Sequence, residues 1–454
     1  MRNKPRIMLL LLLLCPVFLF GQDMLSTLDD MHFVVKGETW ESVAASHGIS
    51  VPELQAANPD VKKGKKLKKG TLLIIPKKPQ PVATVTAEEP ETSDPVVIRT
   101  SISDLKVGVL LPFSDKNMVE FYRGLLMAAD SVRRSGVNLD IHAWDCGNTA
   151  SQIEPLLSKI VGFDVIIGPA SATQIPAVAE HCREQGTRLV LPFPTGQVLQ
   201  DYPLVYDVAV PNAIVFDAAV KKLMRYYADT NFVVVRSGNT DNRGKVLTET
   251  LTRNLAQKGS PRVLELEGDD FAYETAFNQF RDNMILIDDS SVRSLNILLS
   301  RLKDFRRGHS EYRLTLVGYP EWQDETGRLL DDFFALNTYI ISPYYYNVLD
   351  ERTKQFQRAY EKLFRVPVAQ NNPRFAALGF DLGTYFLGGI GSLGDTFEQM
   401  QGSLRQEPYQ HRFQFERSAS QTDSSSSRAP GLSFSNHFVQ FIHFMPENKV
   451  ELIR

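Results

Sequence analysis

Asp104-Leu105-Lys106-Val107-Gly108-Val109-Leu110-Leu111-Pro112-Phe113 is an apolar run of strand length that stops at a proline and opens into a loop. Val165-Ile166-Ile167-Gly168-Pro169-Ala170-Ser171-Ala172 repeats that logic, with a strand whose far end meets a loop and then a helix. Strands that are apolar at nearly every position are buried on both faces, as in a parallel sheet held between layers of helices.

Outward from these two segments the pattern continues. Short apolar runs predict strands at Leu139 to Trp144, Arg188 to Phe193, Phe232 to Arg236, Val263 to Leu266, Met284 to Ile287 and Leu314 to Gly318. Segments with helical spacing lie between them, among them Val119 to Arg134, Gln174 to Glu184 and Ala213 to Tyr227. Strand and helix in alternation give an α/β class with mainly parallel sheets. The stretch from residue 104 to 454 exceeds what one core of this kind holds, roughly 250–300 residues, so two lobes are expected, joined near Pro211-Asn212 and Ile341 to Pro343. Tyr344-Tyr345-Tyr346 then either lines a cleft between the lobes or packs a crossover strand. Ser418 to Ser427 reads as a solvated loop, and the flanking segments Arg412 to Phe415 and His437 to Phe444 form a candidate edge hairpin.

Residues 77 to 103 are rich in Pro, Thr, Glu and Val without apolar periodicity, and read as an extended linker. Ahead of it, residues 32 to 76 form a short patterned unit. At the N-terminus Arg2, Lys4 and Arg6 precede an apolar run from Ile7 to Phe20 that ends at Gly21 and contains Pro16. This is the layout of a secretory signal, too short for a membrane span of ~20 residues. Cleavage after Gly21 is expected, so that residues 1–21 are a signal peptide; lipid attachment at Cys15 is the competing reading. Export would place the chain in the periplasm or cell envelope, where Cys146 and Cys182 can either bridge or stay buried as thiols. The formal charge of −3, near −6 once the three leader cations are gone, argues against a nucleic-acid partner.

The short unit reads as βααβ. His32-Phe33-Val34-Val35-Lys36-Gly37-Glu38-Thr39-Trp40 gives a strand, a glycine turn and a helix start. Ser50 and Glu53 form a capping box for a second helix with Pro52 in its first turn, and Asn58-Pro59-Asp60 makes the turn after it. The strand Thr71 to Ile75 closes the unit. Gly37-Glu38-Thr39-Trp40, Val43-Ala44, Leu54, Asn58-Pro59 and Leu67 through Pro76 together resemble a LysM module. Such modules bind N-acetylglucosamine polymers, chiefly peptidoglycan, in a shallow groove between the first strand-helix loop and the loop after the second helix. The resemblance implies a groove with Gly37, Glu38, Thr39 and Trp40 on one side and Asn58, Pro59 and Asp60 on the other. Trp40 can stack on a sugar face, or it fills the family's usual leucine position in the core. Lys62, Lys63, Lys65, Lys66, Lys68 and Lys69 form a basic run beside the groove, a solvated face or an attraction for peptide carboxylates.

The order of elements after residue 104, including Leu189 to Thr195 and Val205 to Asn212, resembles the type I periplasmic binding fold of the branched-chain amino acid receptor family. Gly379-Phe380-Asp381 resembles that family's Gly-Tyr-Asp element. The resemblance implies ligand-binding hydroxyls at two strand ends, where Ser171, Thr173 and Thr195 fall. An acidic partner for a ligand amine has no counterpart, and Pro192-Phe193-Pro194 departs from the family's small-residue loop. As polar loop residues, the three are equally at home as helix caps.

Motifs for catalysis are missing. Gly389-Ile390-Gly391-Ser392-Leu393-Gly394 matches a dinucleotide fingerprint by letter, but follows a helical segment late in the chain and reads as a helix terminus and loop. There is no His-Glu-x-x-His, Gly-x-Ser-x-Gly or phosphate-binding loop, and no cysteine spacing for a metal. The expectation is a non-enzymatic envelope protein without cofactor or metal, holding peptidoglycan through its LysM module and a ligand or partner through its two-lobed domain. Relatives of this fold that do not transport activate cell-wall synthases, so a regulator of an envelope machine is the alternative. A peptidoglycan hydrolase, which LysM often accompanies, is the third reading.

Overall fold

The chain divides at Pro95 into two compact units. The structure, a computed structural model, describes residues 31–34, 38–46, 49–56, 58, 61, 67, 72–74, 99–194, 202–227, 229–256, 259–417 and 433–454. The expected signal peptide, most of the linker and the serine-rich loop lie outside the described residues. Among the described residues, no helix is long and apolar enough to cross a membrane.

The small unit is β1 (Met31–Phe33), α1 (Trp40–Ser46), α2 (Val51–Ala56) and β2 (Leu72–Ile74), with β1 and β2 antiparallel and Phe33 opposite Leu72. Val34, Trp40, Val43, Ala44, Ile49, Leu54, Leu67 and Leu73 form its core.

The large unit opens with β3 (Asp104–Leu111), α3 (Lys116–Arg134), β4 (Asn138–Asp145), α4 (Ala150–Leu157), β5 (Val165–Ile167), α5 (Ile175–Gln185), β6 (Arg188–Leu191) and β7 (Val205–Asp207). The chain then crosses to a second lobe, made of α6 (Asn212–Tyr226), β8 (Asn231–Arg236), α7 (Asn242–Leu255), β9 (Arg262–Glu265), α8 (Asp270–Ala276), β10 (Asp282–Ile287), α9 (Val292–Gly308), β11 (Arg313–Gly318), α10 (Thr326–Ala335) and β12 (Thr338–Ser342). It returns to the first lobe through α11 (Glu351–Phe364), α12 (Phe375–Gly383), β13 (Phe415–Arg417) and β14 (Phe434–Asn436), and ends in the second with β15 (Gln440–Met445) and β16 (Lys449–Ile453).

Each lobe holds a seven-stranded sheet, ordered β13-β14-β7-β6-β5-β3-β4 in the first and β16-β15-β12-β11-β10-β8-β9 in the second. Pairing is parallel from β4 through β14 and from β9 through β12, and antiparallel at β13, β15 and β16. Alternate residues feed opposite faces, as a strand's period of two requires. Val107, Val109, Val165 and Ile167 pack under α3 and α12, while Leu110 and Ile166 pack with Ile153, Val178 and Cys182 of α4 and α5. All eight strands expected from the apolar runs are present.

The expected hairpin is not. Phe415–Arg417 pairs with Phe434–Asn436 in the first lobe, whereas Gln440–Met445 pairs with β12 in the second. The chain crosses between lobes at residues 437–439, so the second segment serves a different core. The Gly379 and Asp381 of the sequence motif also acquire physical reasons. A side chain at Gly379 would put its Cβ 2.0 Å from the Phe121 carbonyl, and one at Gly124 would meet the Ala376 carbonyl at 1.9 Å, so α3 and α12 cross in backbone contact. Asp381 is buried and accepts the N–H groups of Tyr409, Gln410 and His411 at 2.7–2.8 Å, pinning the segment that pairs with the crossover at Tyr344-Tyr345.

Candidate functional site

In the small unit the turn residues are held by local hydrogen bonds. The Thr39 N–H donates to Ser42 Oγ at 2.9 Å and the Ser42 N–H donates to Thr39 Oγ1 at 3.3 Å. The Ser50 N–H donates to Glu53 Oε2 at 2.7 Å while the Glu53 N–H returns a bond to Ser50 Oγ at 3.4 Å, the reciprocal box that satisfies two orphan donors of α2. Glu38 and Thr39 are half-exposed at the head of α1. The Trp40 ring is 2% exposed and sits in the core with Val43, Leu54 and Leu73. Asn58 is 6% exposed, and its Nδ2 donates to the Leu54 carbonyl at 2.8 Å, closing the end of α2. Gly37, Pro59, Asp60 and the basic run from Lys62 to Lys66 lie outside the described residues, as do Lys68 and Lys69.

In the large unit the strand order reverses at β3 in one lobe and at β8 in the other, so the loops after β3 and β5 and those after β8 and β10 flank the crevices where open α/β sheets take ligands. The first lobe's crevice contains two of the sequence candidates together. Ser171 Oγ and Thr173 Oγ1 lie 3.0 Å apart and both reach the Asn148 carbonyl, at 2.8 and 3.1 Å. Gln174, fully buried, donates through Nε2 to the Cys146 carbonyl at 2.6 Å and to the Thr149 carbonyl at 3.0 Å. These bonds staple the loop after β5 to the loop after β4. Thr195 lies outside the described residues.

The second lobe's crevice holds a polar array that the sequence reading passed over. Asp288 Oδ1 accepts the Ser237 N–H at 2.8 Å and its hydroxyl at 2.7 Å, while Oδ2 accepts the Thr240 hydroxyl at 2.6 Å. Asp241 accepts the Gly244 N–H at 2.6 Å and the Ser290 N–H at 3.0 Å. Asp289 accepts the Ser291 N–H at 3.0 Å and the Ser294 hydroxyl at 2.6 Å. Burial opposes ionisation of Asp241, but the Ser290 and Gly244 donors outweigh it and hold the carboxyl below its ordinary value. The signal was present as Asp288-Asp289-Ser290-Ser291 directly beyond one expected strand and Thr240-Asp241 a few residues beyond another. At the mouth Arg243 pairs with Glu321, and Asp324 of the second lobe bonds Asn372 of the first.

The three tyrosines belong to the crossover: Tyr344 lies tilted against His411, Tyr345 packs against the second lobe's core, and Arg374 lies over the Tyr346 ring at 5.1 Å. Gly389–Leu393 is helix that stops at Gly394, whose φ is +54°. Cys146 and Cys182 are unbonded and buried, and burial pushes both thiols up to about 12, so neither is a thiolate at neutral pH. Among the described residues, the hydrogen-bond and ion-pair partners of histidine ring nitrogens are carboxylates, amides and carbonyls, and no group of His, Cys, Asp and Glu could hold a metal ion.

Two lobes with parallel sheets, three crossovers and crevices at the strand ends define a type I periplasmic-binding-protein-like fold. Residues 32–76 match the family model of the LysM domain, so the small unit is a LysM domain. A solved structure described as a branched-chain amino acid ABC transporter from Rhodospirillum rubrum is similar over 77% of this chain and 100% of its own, at 16% identity and a TM-score of 0.54. A branched-chain amino acid ABC transporter periplasmic ligand-binding protein from Burkholderia xenovorans LB400 covers 77% of this chain and 94% of its own at 12% identity, with a TM-score of 0.48. Full-length LpoA from Haemophilus influenzae covers 78% of this chain and 59% of its own at 11% identity, also with a TM-score of 0.48. These likenesses are of fold. No curated protein matches the chain in sequence.

Proposed function

We propose that this chain is an exported, non-catalytic envelope protein that holds peptidoglycan through residues 32–76 and uses its two-lobed domain to engage a protein of the envelope machinery. The LysM match supports the first half, together with the basic leader around Arg2, Lys4 and Arg6 and the apolar run after it, which support export with cleavage at Gly21 or lipid attachment at Cys15. One observation carries the second half. Among the described residues, these polar groups at the strand-end crevices already serve the chain itself: Ser171 and Thr173 bond Asn148, and Asp241, Asp288 and Asp289 each accept two or more internal donors. A small polar solute binding there has to displace bonds worth about 1 kcal/mol each, or more where a charge takes part. A protein partner reads outer surface and leaves those networks intact.

The test has two arms. The mature chain should sediment with insoluble peptidoglycan, and a chain lacking residues 32–76 should stay in the supernatant. In a melting screen, free amino acids and sugars should give no shift that depends on Ser171 or Thr173. A saturable shift from an amino acid that Ser171→Ala and Thr173→Ala abolish would instead establish a solute receptor.

A further inference from the structure

Val450 and Leu452 of β16, and Arg454 just after it, face a cavity of about 310 Å3 at the hinge. The cavity draws on both lobes and on two crossovers. Arg352 and Arg412 come from the first lobe, Arg454 and Gln440 from the second, and Tyr345 and Phe438 from the connecting strands. Its side-chain charge is lopsided, with three guanidinium groups and Asp350 as the one side-chain carboxylate among the lining residues.

Two of these four charged groups are already engaged. Arg352 donates to the carbonyls of Pro408 and Glu407 and lies 4.3 Å over the Tyr409 ring. Asp350 caps α11, its Oδ1 accepting the Arg352 N–H at 2.9 Å. Arg412 and Arg454 have no carboxylate and no hydrogen-bond partner for their side chains among the described residues. Each sits beside the other's charge, and burial together with Arg412 lowers the Arg454 pKa from its ordinary value. Arg412 is placed firmly, because its neighbour His411 is one of the three residues whose N–H groups Asp381 holds. Two unpaired guanidinium groups are thus kept in one cavity from opposite sides of a hinge. At this partly exposed position their repulsion is small, and an anion between them relieves it.

We propose that this cavity is an anion site for a small ligand bearing a phosphate or carboxylate group, and that its occupancy bridges the two lobes and fixes the hinge angle. The planar forks of Arg412 and Arg454 fit either oxyanion through paired N–H donors. The volume lies at the small end of ligand pockets, about 300–1,000 Å3, which suits an inorganic ion or a compact organic acid. Because one fork belongs to each lobe, an anion bound to both favours the lobe arrangement in which they converge.

The experiment uses the mature full-length chain in chloride buffer of constant ionic strength. Inorganic phosphate and malonate are titrated separately while melting temperature, calorimetric affinity and the radius of gyration in small-angle scattering are recorded. A saturable rise in melting temperature with phosphate alone assigns a phosphate site, with malonate alone a carboxylate site, and with both the shared oxyanion site. Arg412→Gln and Arg454→Gln should each weaken calorimetric binding at least tenfold. Without added anion each variant should melt no lower than the parent, since a repulsion is removed. Both side chains reach the surface without partners, so their loss does not threaten the fold. The proposal is overturned if neither anion outperforms chloride, or if the double variant binds as the parent does. The lobe-bridging part is overturned if binding leaves the radius of gyration unchanged.

Discussion

Replacing Glu398 with alanine should be among the most damaging single changes in the first lobe. Glu398 Oε1 lies 2.7 Å from Arg188 Nε and its Oε2 lies 3.0 Å from Arg188 Nη2, with both side chains 9% exposed. The Tyr206 hydroxyl also donates to Oε1 at 3.1 Å. This triad joins β6 and β7 to the segment that returns from the other lobe. Removing the carboxylate leaves a buried guanidinium whose remaining hydrogen-bond acceptor among the described residues is the Gly394 carbonyl at 3.3 Å, a loss of about 3–5 kcal/mol. The stranded Tyr206 hydroxyl adds about 1 kcal/mol, part of which relaxation recovers. A net cost of about 4 kcal/mol corresponds to a melting temperature about 8–16 °C lower for a lobe of this size. Urea unfolding followed by circular dichroism gives the free energy, and peptidoglycan sedimentation should stay at the parent level because the LysM core is separate. Glu398→Gln keeps an acceptor and should lose about half as much. Arg188→Met combined with Glu398→Leu removes both charges and should be milder than Glu398→Ala. A Glu398→Ala variant within about 1 kcal/mol of the parent, or a double variant worse than the single, would refute this account of the triad.

Gly379→Ala should destabilise the first lobe by about 1–3 kcal/mol or more, because its Cβ meets a backbone carbonyl that cannot step aside; an unchanged urea midpoint would rule out close contact of α3 and α12. Burial pushes the Asp207 carboxyl up to about 7 from an ordinary 3.8, against the Ala209 N–H that favours its charged form. The folded state therefore keeps a proton that the unfolded chain releases, and this stabilisation is full below about pH 4 and lost as pH rises towards about 7. Asp207→Asn should accordingly gain on the parent between those limits and then level off, and a difference that does not vary with pH counts against it; Asp381, altered in neither chain, cancels in the comparison. Limited proteolysis should cut within residues 77–103 before either flank, and equal resistance along the chain would mean that this stretch is not a free linker.

Much of the fold was legible in local pattern. The apolar runs around Val107 and Ile166 carry their own evidence for burial on two faces, and the turn chemistry of Ser50 and Glu53 is closed within four residues of chain. What the sequence could not order were pairings between distant segments. Whether residues 437–444 pair with 412–415 or with β12 depends on where the chain crosses the hinge, a choice made by competing cores and not by either segment's own alternation. The Ser171 and Thr173 hydroxyls looked free as letters, yet in the folded chain they bond a carbonyl more than twenty residues away. Arg412 and Arg454 gave no signal at all in sequence, because a shared cavity exists only once two lobes meet. Periodicity and turn residues act over a few positions, so the sequence alone settled the α/β class, the LysM unit and most strands. Long-range packing decides which polar groups are spent on the fold and which remain unpaired, and only the tertiary structure could decide that.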